Sequence, residues 1–155
     1  FETVSDHATL PILQPMRQIA GKIAVQVGTH LLHGPQGGRG KLLGGVPGVD
    51  RGEVVVLGAG HAGGASARLA AAMGASVTVF DLNPQRLGEM QAAAPNISAR
   101  YASAEAIQEA VARADLVVGA VLLPGAAAPR LVKRADIGDM TPGSVIVDIS
   151  VDQGG

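Results

Sequence analysis

Three glycines and one carboxylate carry the chemistry most legible in this chain. Gly58-Ala59-Gly60-His61-Ala62-Gly63 stands between an apolar run at 54–57 and an Ala-rich stretch at 60–73. In a strand that turns directly into a helix, the first glycine allows the tight turn, the second lets the backbone approach a pyrophosphate, and the third lets helix and strand pack closely. The anion would lie against free N–H groups and the positive dipole end of the helix, so no lysine is required. Asp81 follows 18 residues after Gly63, close to the ~20-residue spacing at which a carboxylate meets the ribose hydroxyls of adenosine. A 2′-phosphate beside Asp81 would suffer like-charge repulsion, offset in part by Arg86 five residues on, so the pattern favours NAD over NADP. An isolated glycine motif is commonly just a strand-to-helix turn, and a chain with 22 Gly produces chance matches. Here strand, helix and acidic residue coincide, which favours a dinucleotide; nucleoside binding of the S-adenosylmethionine type is the alternative that this pattern admits.

Such a site needs a parallel sheet to hold it. Short Val-rich runs alternate with helical patterns: strand 54–57, helix 60–73, strand 76–81, helix 84–93, a weak strand 98–101, helix 104–113, strand 116–120, helix 133–140 and strand 145–149. Repeated strand-helix-strand units of this length specify right-handed crossovers and an α/β, Rossmann-type doubly wound parallel sheet. A long helix precedes it, because Met16, Ile19, Ala20, Ile23, Val27 and Leu31 follow the three-or-four spacing of an amphipathic helix ending near Leu32. Between helix and sheet, Gly34-Pro35-Gln36-Gly37-Gly38-Arg39-Gly40 and Gly44-Gly45-Val46-Pro47-Gly48 cannot sustain a regular element. A loop of that length is expected to pack against a neighbouring subunit or another domain. The chain divides on this reading into an inter-domain helix and Gly-rich loop at 1–50 and a dinucleotide-binding domain at 51–155.

Composition agrees. With 155 residues, 47% hydrophobic and 2% aromatic, the chain can bury one core built from Ala, Val, Leu and Ile. The net charge of −1 and twelve scattered Lys and Arg leave no basic face for a nucleic-acid backbone. The absence of cysteine removes disulfides and thiol chemistry. The apolar stretch at 116–123 stops at Pro124, short of the ~18 residues of a membrane span, so no membrane partner and a soluble, cytoplasmic protein are expected. The first residues carry neither an initiator Met nor a signal pattern, so the chain is expected to begin inside a longer one, and its exposed edges to drive homo-oligomer formation.

Beyond the glycine turn, the chain resembles alanine dehydrogenase. The marks are Pro15-Met16, the Ala20-Gly21 helix, Gly37-Gly38-Arg39-Gly40, Leu43-Gly44-Gly45-Val46-Pro47-Gly48, Ala120-Val121-Leu122-Leu123-Pro124-Gly125 and Asp152-Gln153-Gly154-Gly155. The NAD-binding component of the proton-translocating transhydrogenase is a cousin, less similar in the Leu43 loop and at the Asp-Gln-Gly-Gly end. The resemblance implies reversible oxidative deamination of L-alanine to pyruvate and ammonium, with hydride passing to NAD in a cleft between two domains. The family's catalytic Lys and His, and the Arg that grips the substrate carboxylate, belong to the part that precedes this chain, so turnover needs that part. Carried over by resemblance, Asp81 with Arg86 nearby holds the adenosine ribose, the backbone around His61 and Ala62 faces the pyrophosphate and Ser103 contacts the adenine end. Leu122, Leu123, Ile149, Ser150, Val151 and Asp152 line the nicotinamide side, with Asp152 beside the substrate. Where the family usually places a serine after Pro15-Met16, this chain has Arg17, whose guanidinium either reaches a cofactor phosphate or carboxamide or points into solvent.

Other candidates read as structural. From spacing alone Asp152 is a cap or turn acid, and only the family ending around it gives it a catalytic role. His7, His30, His33 and His61 lack metal-ligand spacing with a nearby carboxylate, and no metal is expected. Asp115 and Asp148, flanking buried strands, read as turn or cap residues. The face Ala65, Leu69, Ala72, Met73 reads as sheet-packing surface. A noncatalytic nucleotide-sensing module on the same fold is the reading from a different class.

Overall fold

A computed structural model describes residues 13–122, 129–151 and 154–155. Its elements are α1 (Leu13–Leu31), β1 (Glu53–Leu57), α2 (His61–Ala72), β2 (Ser76–Asp81), α3 (Pro84–Ala93), β3 (Ile97–Tyr101), α4 (Ala104–Arg113), β4 (Leu116–Gly119), α5 (Arg134–Gly138) and β5 (Val145–Asp148). The strands form one sheet in the order β3-β2-β1-β4-β5. Every pairing is parallel, with Val56 opposite Val79 on one side and Val118 on the other. The expected Rossmann-type sheet is the one observed, and β1 at its centre is the point where strand order reverses.

Strand side chains alternate between two faces, and each face has its own core. Val54, Val56, Val77, Val79, Leu116 and Val118 pack with Val25, Ala67, Ala70 and Met90. Val55, Leu57, Phe80 and Val117 pack on the opposite face with Ile107 and Val111. Both faces being covered explains why the strands read as continuous apolar runs.

The helix before the sheet is present, but its buried face is not the expected one. Met16, Ile19, Ile23, Val27 and Leu31 are exposed at 39–57%, while Gly21, Ala24, Val25 and Gly28 are buried. Small residues win because α1 lies directly on α2 and β4. A Cβ on Gly21 would overlap the carbonyl oxygen of Ala62, and one on Gly28 would come within 2.5 Å of Leu116. Ser66, fully buried, donates to the carbonyl of Gly21 at 2.8 Å and to that of Ala62 at 3.0 Å. The same correction applies to α2. Ala65 is buried and Leu69 half-buried, but Ala72 and Met73 face solvent, and the sheet receives Ala67, Ala70 and Ala71 instead.

The Gly-rich segment is not a featureless loop. It opens with a short 3-10 turn at Gly34–Gln36, and Leu43 is buried against this chain's own core. Arg39 pairs with Asp115 at 2.5 Å, and its N–H donates to the carbonyl of Gly143 at 3.1 Å. Leu42, Val46 and Val49 remain exposed. Asp115, read as a turn or cap acid, is a buried brace: its second oxygen accepts the N–H of Glu53 at 2.8 Å. Among the described residues, no helix is long and apolar enough to cross a membrane.

Candidate functional site

The carboxyl ends of β1, β2, β4 and β5 open onto one edge of the sheet, where the glycine turn lies between its neighbours. Gly58 has φ +99°, a left-handed conformation that disfavours any side chain. Its N–H donates to the carbonyl of Phe80 at 2.7 Å, and an added Cβ would lie 2.8 Å from the carbonyl oxygen of Ala120. A Cβ on Gly63 would overlap the carbonyl of Gly58, so strand and helix meet there at backbone contact. At Gly60, the residue that precedes α2, an added Cβ meets nothing within 4 Å. Two of the three glycines thus close the turn, and one leaves open space before the first turn of α2. The N–H groups at that helix start have no partner within the helix, and they and the helix dipole point at the opening.

Asp81 ends β2 beside this opening. Its Oδ2 accepts the N–H of Ala59 at 2.6 Å and its Oδ1 accepts the N–H of Asn83 at 2.8 Å. One carboxylate thus holds the glycine turn and the start of α3 in register, and each oxygen keeps a lone pair for a hydroxyl. Arg86, exposed on α3, stands 3.9 Å from Asp81. Asn83 caps α3 by accepting from the N–H groups of Gln85 and Arg86 at 2.9 and 3.2 Å. The Asn83-Pro84 pair is the sequence signal for that cap.

The ring of His61 does more than its assigned structural role. Its Nε2 is hydrogen-bonded to the side-chain amide of Gln14 on α1. Partial shielding from water lowers its pKa first, and the positive charges of Arg17 and Arg86 lower it further. A neutral imidazole with an accepting Nε2 suits the Gln14 amide as donor. The charge of Arg17 therefore acts at the glycine turn. Gln14, Arg17 and Gly21 share the face of α1 turned to the start of α2. Gln14 has no sequence signal beyond that helical spacing.

Those of the remaining expected residues that are described fall at the same edge. Ser103 begins α4, and its hydroxyl accepts from the N–H of Ala106 at 3.3 Å. Leu122 follows β4, and Ile149 donates its N–H to the carbonyl of Gly119 at 2.8 Å. Ser150 is fixed at three points: its hydroxyl donates to the carbonyl of Val121 at 2.7 Å, its N–H to Asp148 at 2.8 Å, and its carbonyl accepts from Gly155 at 3.2 Å. Val151 is exposed. Asp148 is thus a turn residue. Leu123, Asp152 and His7 lie outside the described residues.

Two cavities flank the turn. A cleft of about 710 Å³ between α1, α2 and α3 includes Gly60, His61, Ala65 and Leu69. A smaller one of about 190 Å³, lined by Leu57, Val121, Leu131 and Ser150 among others, lies beside β4 and β5. No group of three or more His, Cys, Asp and Glu among the described residues is placed to hold a metal.

Against known proteins, residues 24–155 match the family model described as alanine dehydrogenase/PNT, C-terminal domain. The chain is 52% identical over its full length to an alanine dehydrogenase of Mycobacterium tuberculosis, covering 42% of that protein. It is 47% identical to an alanine dehydrogenase of Bacillus subtilis, covering 41% of it. An L-alanine dehydrogenase structure superposes with a TM-score of 0.93 at 47% identity, over 97% of this chain and 42% of that one. A transhydrogenase from Sinorhizobium meliloti superposes with a TM-score of 0.80 at 28% identity, over 93% of this chain and 42% of that one. The chain thus spans about two fifths of the length of these relatives.

Proposed function

Because the chain belongs to the alanine dehydrogenase/PNT C-terminal domain family, we propose that it is the NAD-binding part of an alanine dehydrogenase. The observation that carries this is the open approach at Gly60 beside the Asp81 carboxylate, at the sheet's switch point. That arrangement fits a dinucleotide: the pyrophosphate against the N–H groups of the first turn of α2, the adenosine ribose on Asp81 with Arg86 nearby. NAD supplies the hydride acceptor for converting L-alanine and water to pyruvate and ammonium. Ser103 would contact the adenine end, and Leu122, Ile149, Ser150 and Val151 would line the nicotinamide side. The anchoring of Ser150 supports a wall held rigidly rather than a loop that adapts. Leu123 and Asp152 complete this list from the family resemblance, with Asp152 beside the reacting amine. A carboxylate there would hold the ammonium group of the substrate and stabilise positive charge as the imine forms.

The Lys, His and Arg that the resemblance requires for substrate lie in the part of the relatives that this chain does not span, so turnover belongs to the longer protein. The division into an inter-domain helix and loop at 1–50 and a dinucleotide domain from 51 is part of the same proposal, as are a cytoplasmic site of action and a homo-oligomeric assembly. A transhydrogenase component is the second reading. The higher identity to alanine dehydrogenases, 46–52% against 28%, favours the first.

Two measurements test the proposal. Saturable NADH binding by this chain, followed by cofactor fluorescence and weakened by Asp81→Ala, is expected; no binding would contradict it. In a protein extended to the relatives' length, L-alanine-dependent reduction of NAD is expected, and Asp152→Ala should abolish it.

A further inference from the structure

Arg17 belongs to a stripe of α1 that rests on the first turn of α2. It follows Gln14 by three residues and precedes Gly21 by four, spacings that put all three on one face of a helix. Both neighbours on that face touch the start of α2. The side-chain amide of Gln14 is hydrogen-bonded to the ring of His61, and a Cβ on Gly21 would overlap the carbonyl oxygen of Ala62. Arg17, half-buried, is therefore bracketed by contacts with the helix start that opens at Gly60. Its charge reaches His61, whose pKa is lowered first by shielding from water and then by Arg17 and by Arg86 of α3. Two helices thus bring one cation each to the first residue of a third. Asp81 is engaged on the α3 side, by Asn83 and Arg86. On the other side, α1 contains no acidic residue to offset the charge of Arg17.

We propose that Arg17 is a phosphate-binding residue of the nucleotide site, its guanidinium taking the pyrophosphate of a dinucleotide from the α1 side while the N–H groups of α2 take it end-on. The inference rests on the dinucleotide reading above and adds to it a charge that the glycine turn itself does not contain. A helix start is equivalent to about half a positive charge, whereas a pyrophosphate diester carries a negative charge on each phosphate. Main-chain groups alone leave most of that charge to water. A guanidinium supplies a full charge and a fork of donors that matches two phosphate oxygens. Adenosine, which has no phosphate, should be indifferent to it.

The test compares Arg17→Gln, which removes the charge and keeps a long helix-forming side chain, with Arg17→Lys, which keeps the charge. NADH is titrated by cofactor fluorescence, with ADP and adenosine as its competitors. Arg17→Gln should weaken NADH and ADP about tenfold, the scale of one charge-assisted hydrogen bond, and leave adenosine unchanged. Arg17→Lys should recover most of the loss. Raising the salt from about 0.01 to about 0.15 M shortens the screening length from about 30 to about 8 Å, so it should weaken NADH less in Arg17→Gln than in the unaltered chain. An equal loss for adenosine would show that Arg17 only supports the fold of the turn. A loss for NADH without one for ADP would place the guanidinium at the nicotinamide end, and unchanged NADH would leave it in solvent. Each of these overturns the assignment while the dinucleotide reading stands. If the unaltered chain binds neither NADH nor ADP, the dinucleotide reading fails, and this inference with it.

A second measurement needs no ligand. In an NMR titration of the free chain, Arg17→Gln should raise the pKa of the His61 ring, because it removes one of the two cations that depress it. An unmoved pKa would place the guanidinium away from the turn and overturn the assignment.

Discussion

At Asp81, structure and ligand draw on the same carboxylate, because its two oxygens already accept from Ala59 and Asn83. Asp81→Ala should therefore weaken NADH about 10- to 100-fold and also lower stability by about 1–3 kcal/mol, the scale of lost hydrogen bonds to a charged acceptor. Titration and urea unfolding measure the two effects separately; a loss of binding with unchanged stability would contradict the bracing role. At His61 the pKa is lowered by shielding and by Arg17 and Arg86, so the folded chain holds it neutral. Its linkage makes the chain lose stability as pH falls from about 6.5, the unfolded value, through the depressed folded value, with the full contribution present above 6.5. A bound pyrophosphate would supply the opposite charge and raise that pKa, so dinucleotide binding should take up protons and tighten as pH falls through the same window. NMR titration of the His61 ring with and without NAD checks this; an unmoved or further lowered pKa would contradict it. Gly58, Gly60, Gly63 and Asp81 were legible in sequence because each is forced by backbone geometry at a fixed offset. Gln14 was not, since only helix packing brings it to the turn.

The strand-helix alternation was legible because strands covered on both faces and helices of ten or so residues leave distinct patterns, and strand β2 and helices α3 and α4 match their expected bounds. The buried face of α1 was not. Its large apolar residues marked a regular stripe, while the face that packs on α2 and β4 includes Gly21, Ala24 and Gly28, too small to register as hydrophobic. Gly21→Ala should force α1 off Ala62 and destabilise the chain by about 1–3 kcal/mol, as overpacking does. It should weaken NADH too, because α1 supports the start of α2; a stable variant with unchanged binding would show that the helices can separate without consequence. At the opposite edge of the sheet, Arg39→Ala would leave Asp115, with a side chain 3% exposed, without its cation. Fully buried pairs cost about 3–5 kcal/mol when broken. The partial exposure of Arg39 puts the expected loss nearer 1–3 kcal/mol by chemical denaturation, with NADH affinity unchanged.

At the scale of the molecule, the uncovered stripe Met16, Ile19, Ile23, Val27 and Leu31 is apolar surface of the kind that marks an interface. Light scattering should therefore give a mass above that of one chain, and a single-chain mass at high concentration would contradict self-association. Everything else turns on one physical claim: main-chain amides at the start of α2, opened by Gly60, receive the phosphates of an adenine dinucleotide. The direct measurement is an amide NMR spectrum of the labelled chain during NAD titration. Saturable shifts concentrated at Gly60, His61, Ala62 and Gly63, with Asp81 following at the same midpoint, are expected. Shifts confined to other surfaces, or none at millimolar NAD in a folded chain, would contradict it.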